Sequence, residues 1–539
     1  MVFLITNPLI HLYRWKVFLG NRFHMWKLYE VQVLFFYGTQ ASGGVLNVIT
    51  RKDLGNSSAT LKVGSNGLKE GSAYYNRALS DKSAIYIAGE YRAEDGYTAT
   101  YNEVFPTVGL VTDEVHRYLE RQSGLLRYTN SEFSLFLQAF SDTTVGINDG
   151  VTGEDTLQPL TLETKGQLLH IENSWNTDNS KSTFFSDYNH YTFDIKIENI
   201  FAPGVGLLGT KDNNGEDDYR FRLGGSFAYD INESINFVVG IEHETRSIGD
   251  YRIYFLDDPS EPLATSLEKG KIDEFSSYIQ VDYTLQKWRF LIGGRYTDNE
   301  LSGQKITPRA AVVYKIDEYQ SLKTLYSTGF NSPNPTQTSV YAPGNVVGNE
   351  ALTAEVVNTF DIAYSYSRSN VLFVANIYSL EAQDFIERRH SESDGAVSFF
   401  NEGNFKRKGA EIDFQMARSD SKLFVNLAYQ QEGNKVIDED PTAFHTPRLT
   451  LSIGASIDLF DMHSLGADIS YIGARQNLDA YSVININYTA RLSDFELFVV
   501  VRNLLDEEIL NPDISTQNSN LVAHGEEGVN VQLGVRVHF

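Results

Sequence analysis

The chain has 539 residues, 13% of them aromatic, with Tyr and Phe nearly equal at 31 and 33, and it contains no cysteine. That excludes a disulfide framework, a thiol nucleophile and cysteine-ligated zinc. A formal net charge of −25 argues against nucleic-acid binding, which needs a basic footprint.

The first element, MVFLITNPLIHLYRWKVFLG (1–20), is apolar but interrupted by Pro8, His11, Arg14 and Lys16. No segment of the chain approaches the ~18 uninterrupted apolar residues of a membrane helix. The start also lacks the basic n-region and small-residue cleavage site of a signal peptide, so none is visible. Next comes YGTQASGGVLNVITRK (37–52), a glycine pair leading into the strand-like VLNVIT and then into the charged RKDLGNSS.

From residue 57 onward, alternation with period two dominates. In VNVQLGVRVHF, Val529, Val531, Leu533, Val535, Val537 and Phe539 share one face, and Asn530, Gln532, Gly534, Arg536 and His538 the other. WRFLIGGRY (288–296) and GAEIDFQM (409–416) repeat the pattern. About 22 such segments follow one another, each an amphipathic strand. They lie near 58–65, 68–79, 83–92, 117–129, 132–141, 164–176, 181–195, 217–229, 233–246, 272–285 and 286–297. The second half continues at 306–317, 320–328, 354–367, 369–381, 404–417, 421–431, 446–458, 463–472, 480–491, 493–503 and 529–539.

Short turns such as SDK, TNS, DINE, LQK and RSN take turns with long polar loops near 93–116, 142–163, 196–216, 247–271, 329–353, 382–403, 432–445 and 504–528. Hairpins with short turns at one end and long loops at the other describe an all-β, transmembrane, antiparallel up-and-down barrel. A propeller would show a repeat of roughly 40–50 residues, and none is found. Arg222, Arg289, Glu411, Asp413 and Arg536 on the polar faces suit a wet lumen and would be intolerable in a dry core without partners.

Within this frame YGTQASGGVLNVITRK resembles the last plug segment of TonB-dependent outer-membrane receptors. Tyr37, Gly38, Ala41, Gly43, Gly44, Val45, Asn47, Ile49 and Thr50 match its usual form. GFNSP (Gly329–Pro333, with Asn331 where the family usually has Arg) is similar to the GFRAP box, and GNEALTAE, containing Asn349 and Glu355, to GNPDLKPE. FNEGNFKRKGAEIDF carries a KGxE-like element with Gly409 and Glu411, NLLDEEIL from Asn503 resembles the NLFDKKY box, and the chain ends on an aromatic, Phe539.

The resemblance covers about residues 37–539 and implies three parts: an atypical segment 1–36, the end of a plug at 37–56, and a receptor barrel at 57–539. Only the last plug strand is then retained, and 1–36 reads as a truncation or mis-start. The implied function is uptake of a ferric siderophore or similar iron chelate across the bacterial outer membrane. In the full-length parent, the TonB–ExbB–ExbD complex energises it. Outer-membrane lipid, lipopolysaccharide and the barrel-assembly machinery are the other implied partners. Phe330, Asn331 and Tyr341 are the expected ligand contacts, while Tyr37, Gly38, Gly43, Gly44, Asn47, Pro333, Asn349, Glu355, Gly409, Glu411, Asn503 and Phe539 are motif positions with structural roles. The alternatives are a plugless passive pore or remnant and, less favoured, an outer-membrane hydrolase.

No catalytic constellation, resident cofactor or metal site is expected. There is no G-x-S-x-G elbow, H-E-x-x-H motif or phosphate-binding loop. His243, between Glu242 and Glu244, and His190, near Asp187 and Asp194, read as solvated barrel histidines. DNNGEDD (212–218) does not fit calcium-loop spacing, and it and DEDP (438–441) read as polar loop tips. Haem receptors of the family usually carry a histidine between the GFRAP-like and NPDL-like boxes. FNSPNPTQTSVYAPGNVVGN has none, which lowers haem as a cargo.

Overall fold

A sheet of amphipathic strands leaves unpaired backbone groups at its two edges unless it closes on itself. Here it closes. The structure is a computed structural model that describes residues 2–4, 23–29, 45–50, 57–105, 109–148, 158–197, 201–202, 206–212, 218–255, 258, 260–262, 264–342, 346–390, 397–431, 446–460, 462–475, 478–512, 523–525 and 527–539.

Twenty-two long strands form the barrel. They are β1 (Ser58–Gly64), β2 (Lys69–Ser80), β3 (Ser83–Phe105), β4 (Gly109–Thr129), β5 (Phe133–Asn148), β6 (Gln158–Asn176) and β7 (Ser180–Ile197). Then come β8 (Tyr219–Asn232), β9 (Ile235–Ile248), β10 (Gly270–Leu285), β11 (Trp288–Asn299), β12 (Gly303–Lys315), β13 (Gln320–Asn331) and β14 (Glu355–Arg368). The rest are β15 (Val371–His390), β16 (Val397–Ala417), β17 (Ser421–Gln431), β18 (Leu449–Leu459), β19 (His463–Ile472), β20 (Tyr481–Leu492), β21 (Phe495–Arg502) and β22 (Asn530–His538). Each pairs antiparallel with the next, and β22 closes on β1 in register from Gln532↔Gly64 to His538↔Ser58.

The faces follow the alternation. Outward side chains such as Ile306 (73% exposed) and Leu61 (65%) form the apolar belt, while inward Gln532 on the closing strand is 4% exposed. Turns at the short-turn end are held by side chains that mimic backbone acceptors. Asn130 Oδ1 accepts from the amides of Glu132 and Phe133 (2.9 and 2.7 Å), and Asp317 Oδ1 from those of Tyr319 and Gln320 (both 2.8 Å).

Several stretches expected to be loops are instead paired strand. β3 and β4 stay in register to Phe105↔Gly109, β5 and β6 to Asn148↔Gln158, and β15 and β16 to His390↔Val397. Beyond the apolar belt there is no reason for an apolar outer face, so in EDGYTATYNEVF (94–105) the alternation fades while the backbone ladder continues. The 329–353 connection contains a short helix, α1 (Pro335–Ser339), capped by Asn334 and Gln337.

Ahead of the barrel, Val45–Thr50 is a strand as expected. It is the middle member of a three-stranded antiparallel sheet, with Val2–Leu4 on one side and Phe23–Tyr29 on the other. The lack of a clean hydrophobic period in 1–36 hid those two partners. Tyr37, Gly38, Gly43 and Gly44 lie outside the described residues, and Asn47 is on the strand, opposite Val2 and Lys27.

Candidate functional site

The inward face of β6–β11 carries charge in matched sets. Arg222 reaches Asp187 Oδ2 from Nη2 (2.5 Å) and Nε (2.9 Å), and the other oxygen of Asp187 meets His170 Nδ1 at 2.5 Å. Arg295, 2% exposed, donates to Glu242 at 2.8 Å. Arg220 donates to Glu244 at 2.6 Å, and Arg246 also pairs with Glu244. Arg222 lies over the Phe185 ring (4.9 Å) and Arg295 over Tyr278 (5.8 Å). Such paired and stacked guanidinium groups can be carried in a half-wet wall that would reject lone charges.

Across the lumen, the mid-strand carboxylates of β14–β20 are held by amides, whereas Asp458 and Glu387 near strand ends pair with Arg491 (3.6 Å) and Arg389 (3.5 Å). Asn485 Nδ2 donates to Asp468 (2.8 Å), Gln415 to Asp413 (3.2 Å), and Asn376 makes long bonds to Asp361 (3.4 Å) and Glu411 (3.5 Å). Hydroxyl pairs complete this wall, with Ser327 on Thr359 at 3.0 Å and Ser452 on Ser470 at 3.2 Å. Gly409, predicted as a motif position, is directly opposite Tyr378, whose ring occupies the space a Cβ would need. Gly240 and Tyr278 repeat this arrangement, in which an aromatic covers a glycine across the ladder.

At the long-loop end, the GFNSP and GNEALTAE boxes meet. Asn331 Nδ2 donates to Glu355 Oε2 (2.9 Å), and Glu355 Oε1 accepts from the Ile386 amide (2.8 Å). Asn349 Nδ2 donates to the Phe399 carbonyl (2.8 Å), and Asn401 exchanges two bonds with the Thr353 backbone (2.7 and 3.0 Å). Val340, Leu352, Ile386 and Phe399 form an apolar cluster beneath these bonds. Residues 332–342 and 346–354 are thereby strapped to the β15–β16 hairpin, with Pro333 buried at the start.

The three expected ligand contacts divide. Tyr341 is 62% exposed on this strap, Phe330 is 3% exposed within the wall, and Asn331 is engaged by Glu355. Asn503 ends β21 in a left-handed conformation (φ 49°). It exchanges bonds with Glu507, donating to its carbonyl and accepting from its amide, both at 2.9 Å. The Phe539 amide donates to the Ser57 carbonyl (3.0 Å), tying the last residue to the start of the barrel.

His243 points outward, 3.7 Å from Asp273, while Glu242 and Glu244 face inward, as the alternation implied. The partner of Asp187 is His170 on the neighbouring strand, whereas His190 belongs to the opposite face of β7. The signal for His170 was present in LLHIENSW, where it shares the polar face with Glu172 and Ser174. Also missed were Tyr191, Phe193 and Tyr251 near the long-loop end, with Phe193 and Tyr251 centroids 5.2 Å apart. Beside them Asp250 accepts from the Lys269 amide (2.7 Å) and from Arg252 (2.6 Å). The Lys269 amide bond above all holds its carboxyl below the usual range. Residues 213–217 and 438–441 lie outside the described residues, and among the described residues no cluster of His, Asp and Glu has metal-site geometry.

The family model described as TonB dependent receptor-like, beta-barrel matches residues 117–504. The chain belongs to the TonB-dependent receptor family. Among curated proteins it is similar to the iron-regulated outer membrane virulence protein of Vibrio cholerae, 22% identical over 359 residues. That alignment covers 62% of this chain and 49% of the relative, so the chain spans about half the relative's length.

Its fold is similar to the ferric enterobactin receptor of Pseudomonas aeruginosa, at TM-score 0.73 and 16% identity over 95% of this chain and 85% of that one. It is also similar to the ferric yersiniabactin uptake receptor of Yersinia pestis, at TM-score 0.69 and 14% identity over 95% and 85% of the two chains. TonB-dependent receptors are transporters rather than enzymes. In an outer-membrane barrel the short turns are periplasmic and the long loops extracellular, which places the strap and Tyr341 on the outside.

Proposed function

We propose that this chain is the barrel of an outer-membrane receptor for a ferric siderophore or a similar iron chelate. In the full-length protein, uptake is energised by TonB–ExbB–ExbD. One observation carries the reading: the receptor-barrel match over 117–504 coincides with a closed barrel whose fold neighbours include receptors named for ferric siderophores. A chelate arrives with its iron already coordinated, so the protein needs aromatic surface and charge complementarity rather than a metal-ligand set. Tyr341 on the strap and the Tyr191–Phe193–Tyr251 group supply aromatic surface at the extracellular end, and Arg252 supplies a cation beside it. Phe330 and Asn331 act beneath Tyr341 by holding the strap's root. Lipopolysaccharide around the belt and barrel-assembly machinery reading Phe539 are the further partners of this reading.

The test is a titration of the folded barrel with ferric catecholate, hydroxamate and mixed-type chelates, followed by tyrosine fluorescence and paired with deletion of the gene in iron-limited cells. Saturable quenching by one chelate class, weakened in Tyr341→Ala, supports the assignment. No binding to any class together with unchanged iron-limited growth sinks it.

A further inference from the structure

The strap leaves the wall after Asn331 and returns at Glu355, and these two residues stand opposite each other in the β13–β14 ladder. Their side chains close its root. Glu355, 6% exposed, accepts from Asn331 Nδ2 at Oε2 (2.9 Å) and from the Ile386 amide at Oε1 (2.8 Å). Both donors are neutral, whereas the inward carboxylates of Asp187, Glu242 and Glu244 each have a guanidinium partner. The charged neighbours of Glu355 do not supply one. On β15 and β16, Arg389 is committed to Glu387 (3.5 Å) and Glu402 (2.5 Å), and Asp384 is exposed. The strap brings only Glu350, which is exposed, and α1 has no charged residue. Lys323 on β13 and Asp361 on β14 lie further down the same inner face.

Ionising such a carboxyl leaves a charge away from water with no cation beside it, so its protonated form is favoured. Glu355 lies five residues above Phe360, the first exposed apolar residue on the lipid face of β14, and so stands outside the membrane-spanning part of the strand. Burial pushes its carboxyl up, against the opposing pull of the two N–H bonds. Asn331 suits both states. Its Oδ1 is buried and has no hydrogen-bond partner among the described residues. Turning the amide lets that oxygen accept from a protonated Oε2 while Ile386 still donates to Oε1. Glu355 then keeps two hydrogen bonds in either state, and only the ionised state also buries a charge.

We propose that Glu355 is a proton-operated latch: with its proton it holds the strap's root closed, and on losing that proton it lets the strap loosen. The coupling runs through Ile386, whose amide holds Glu355 and whose side chain packs with Val340 and Leu352 of the strap and with Phe399. A carboxyl raised on folding favours the held strap at low pH and withdraws that contribution as pH rises through its folded value. Because Tyr341 rides on the strap, the same proton governs how firmly that aromatic is presented to a chelate; only this last consequence rests on the chelate reading.

The absence of cysteine gives the test a clean background. Thr336→Cys, exposed on α1, and Ser369→Cys, exposed on the β14–β15 turn at the other end of the barrel, are each spin-labelled. The full chain is folded into phosphatidylethanolamine–phosphatidylglycerol vesicles, and folding is verified by its gel-mobility shift. Label mobility is then followed from about pH 4 to about pH 9, with no chelate present. The latch predicts a mobile fraction at 336 that rises several-fold with pH, no such rise at 369, and loss of the rise when Glu355→Gln is added to Thr336→Cys. A flat profile at 336 with Glu355 intact overturns it, however the Gln variant folds. The same rise at 369, or one that persists in Glu355→Gln, also overturns it. None of these failures touches the chelate assignment, which is read by titration.

Discussion

Across β6–β11 the inward carboxylates are gripped by guanidinium groups, with Asp187 between His170 and Arg222 and Glu242 on Arg295. Across β14–β20 those at mid-strand are gripped by amides, with Asp468 on Asn485 and Asp413 on Gln415, while guanidinium partners appear, among the described residues, only near strand ends, with Arg491 on Asp458 and Arg389 on Glu387. Both arrangements satisfy hydrogen bonds, but only the first also neutralises charge. Satisfying a polar group and cancelling a charge are therefore separate tasks in one wall. Losing a partner should cost far more where both are done by a single side chain.

The largest expected effect is on the guanidinium side. Arg295→Ala strands the Glu242 carboxylate in a buried position and should cost about 3–5 kcal/mol. The double change Arg295→Met with Glu242→Gln should recover most of that loss. Urea unfolding of the barrel in phospholipid vesicles, read by gel mobility, measures both. If Arg295→Ala costs no more than a change on the amide side, the contrast between the walls disappears.

Next comes a test that the inner walls, and not the outer belt, carry this chemistry. Val535 is outward, opposite Leu61 and Leu497, and Val535→Arg should cost about 2–4 kcal/mol near the bilayer midplane. On the same strand Gln532→Asn should lose about 1 kcal/mol, the worth of one hydrogen bond to Asn530. Equal costs at the two positions would mean that the assigned faces are wrong.

On the amide side, Asn485→Ala removes the bond to Asp468 and the one accepted from the Asn503 amide (3.1 Å). It should cost about 1–3 kcal/mol in the same unfolding assay, below Arg295→Ala. A larger loss would show that this wall depends on its amides as the other does on its guanidinium groups.

The smallest effect is at the extracellular seam, outside both walls. Glu527 accepts from Asn66 (2.6 Å) and from Asn530, both through Oε1, and burial pushes its carboxyl up. A carboxyl raised on folding favours the folded state at low pH and loses that contribution as pH rises through its folded value. Glu527→Gln keeps the accepting oxygen and cannot ionise. It should be more stabilising at about pH 8 than at about pH 4. The reverse pH trend in unfolding midpoints would contradict the raised value.

The strand plan was legible because it is written in a local code. Each expected segment overlaps one barrel strand, and Val535, Gln532, His243 and Glu242 face the way that parity assigned them. The extracellular ends of β3, β4, β15 and β16 were not legible, since the alternation stops with the belt while the hydrogen bonds go on. The motif boxes marked where the strap lies. They did not show that Phe330 is enclosed, Asn331 engaged and Tyr341 exposed.

By itself the sequence determined the number of strands, their faces and the alternation of short and long connections. All three follow from a two-residue period and from turn chemistry within a few positions. Only the tertiary structure decided which residue meets which across the ladder: His170 rather than His190 with Asp187, Arg295 with Glu242, Tyr378 over Gly409, and β22 with β1. Parity assigns a face but not a partner. The partner depends on the register between neighbouring strands, which is settled jointly by all the strands when the barrel closes.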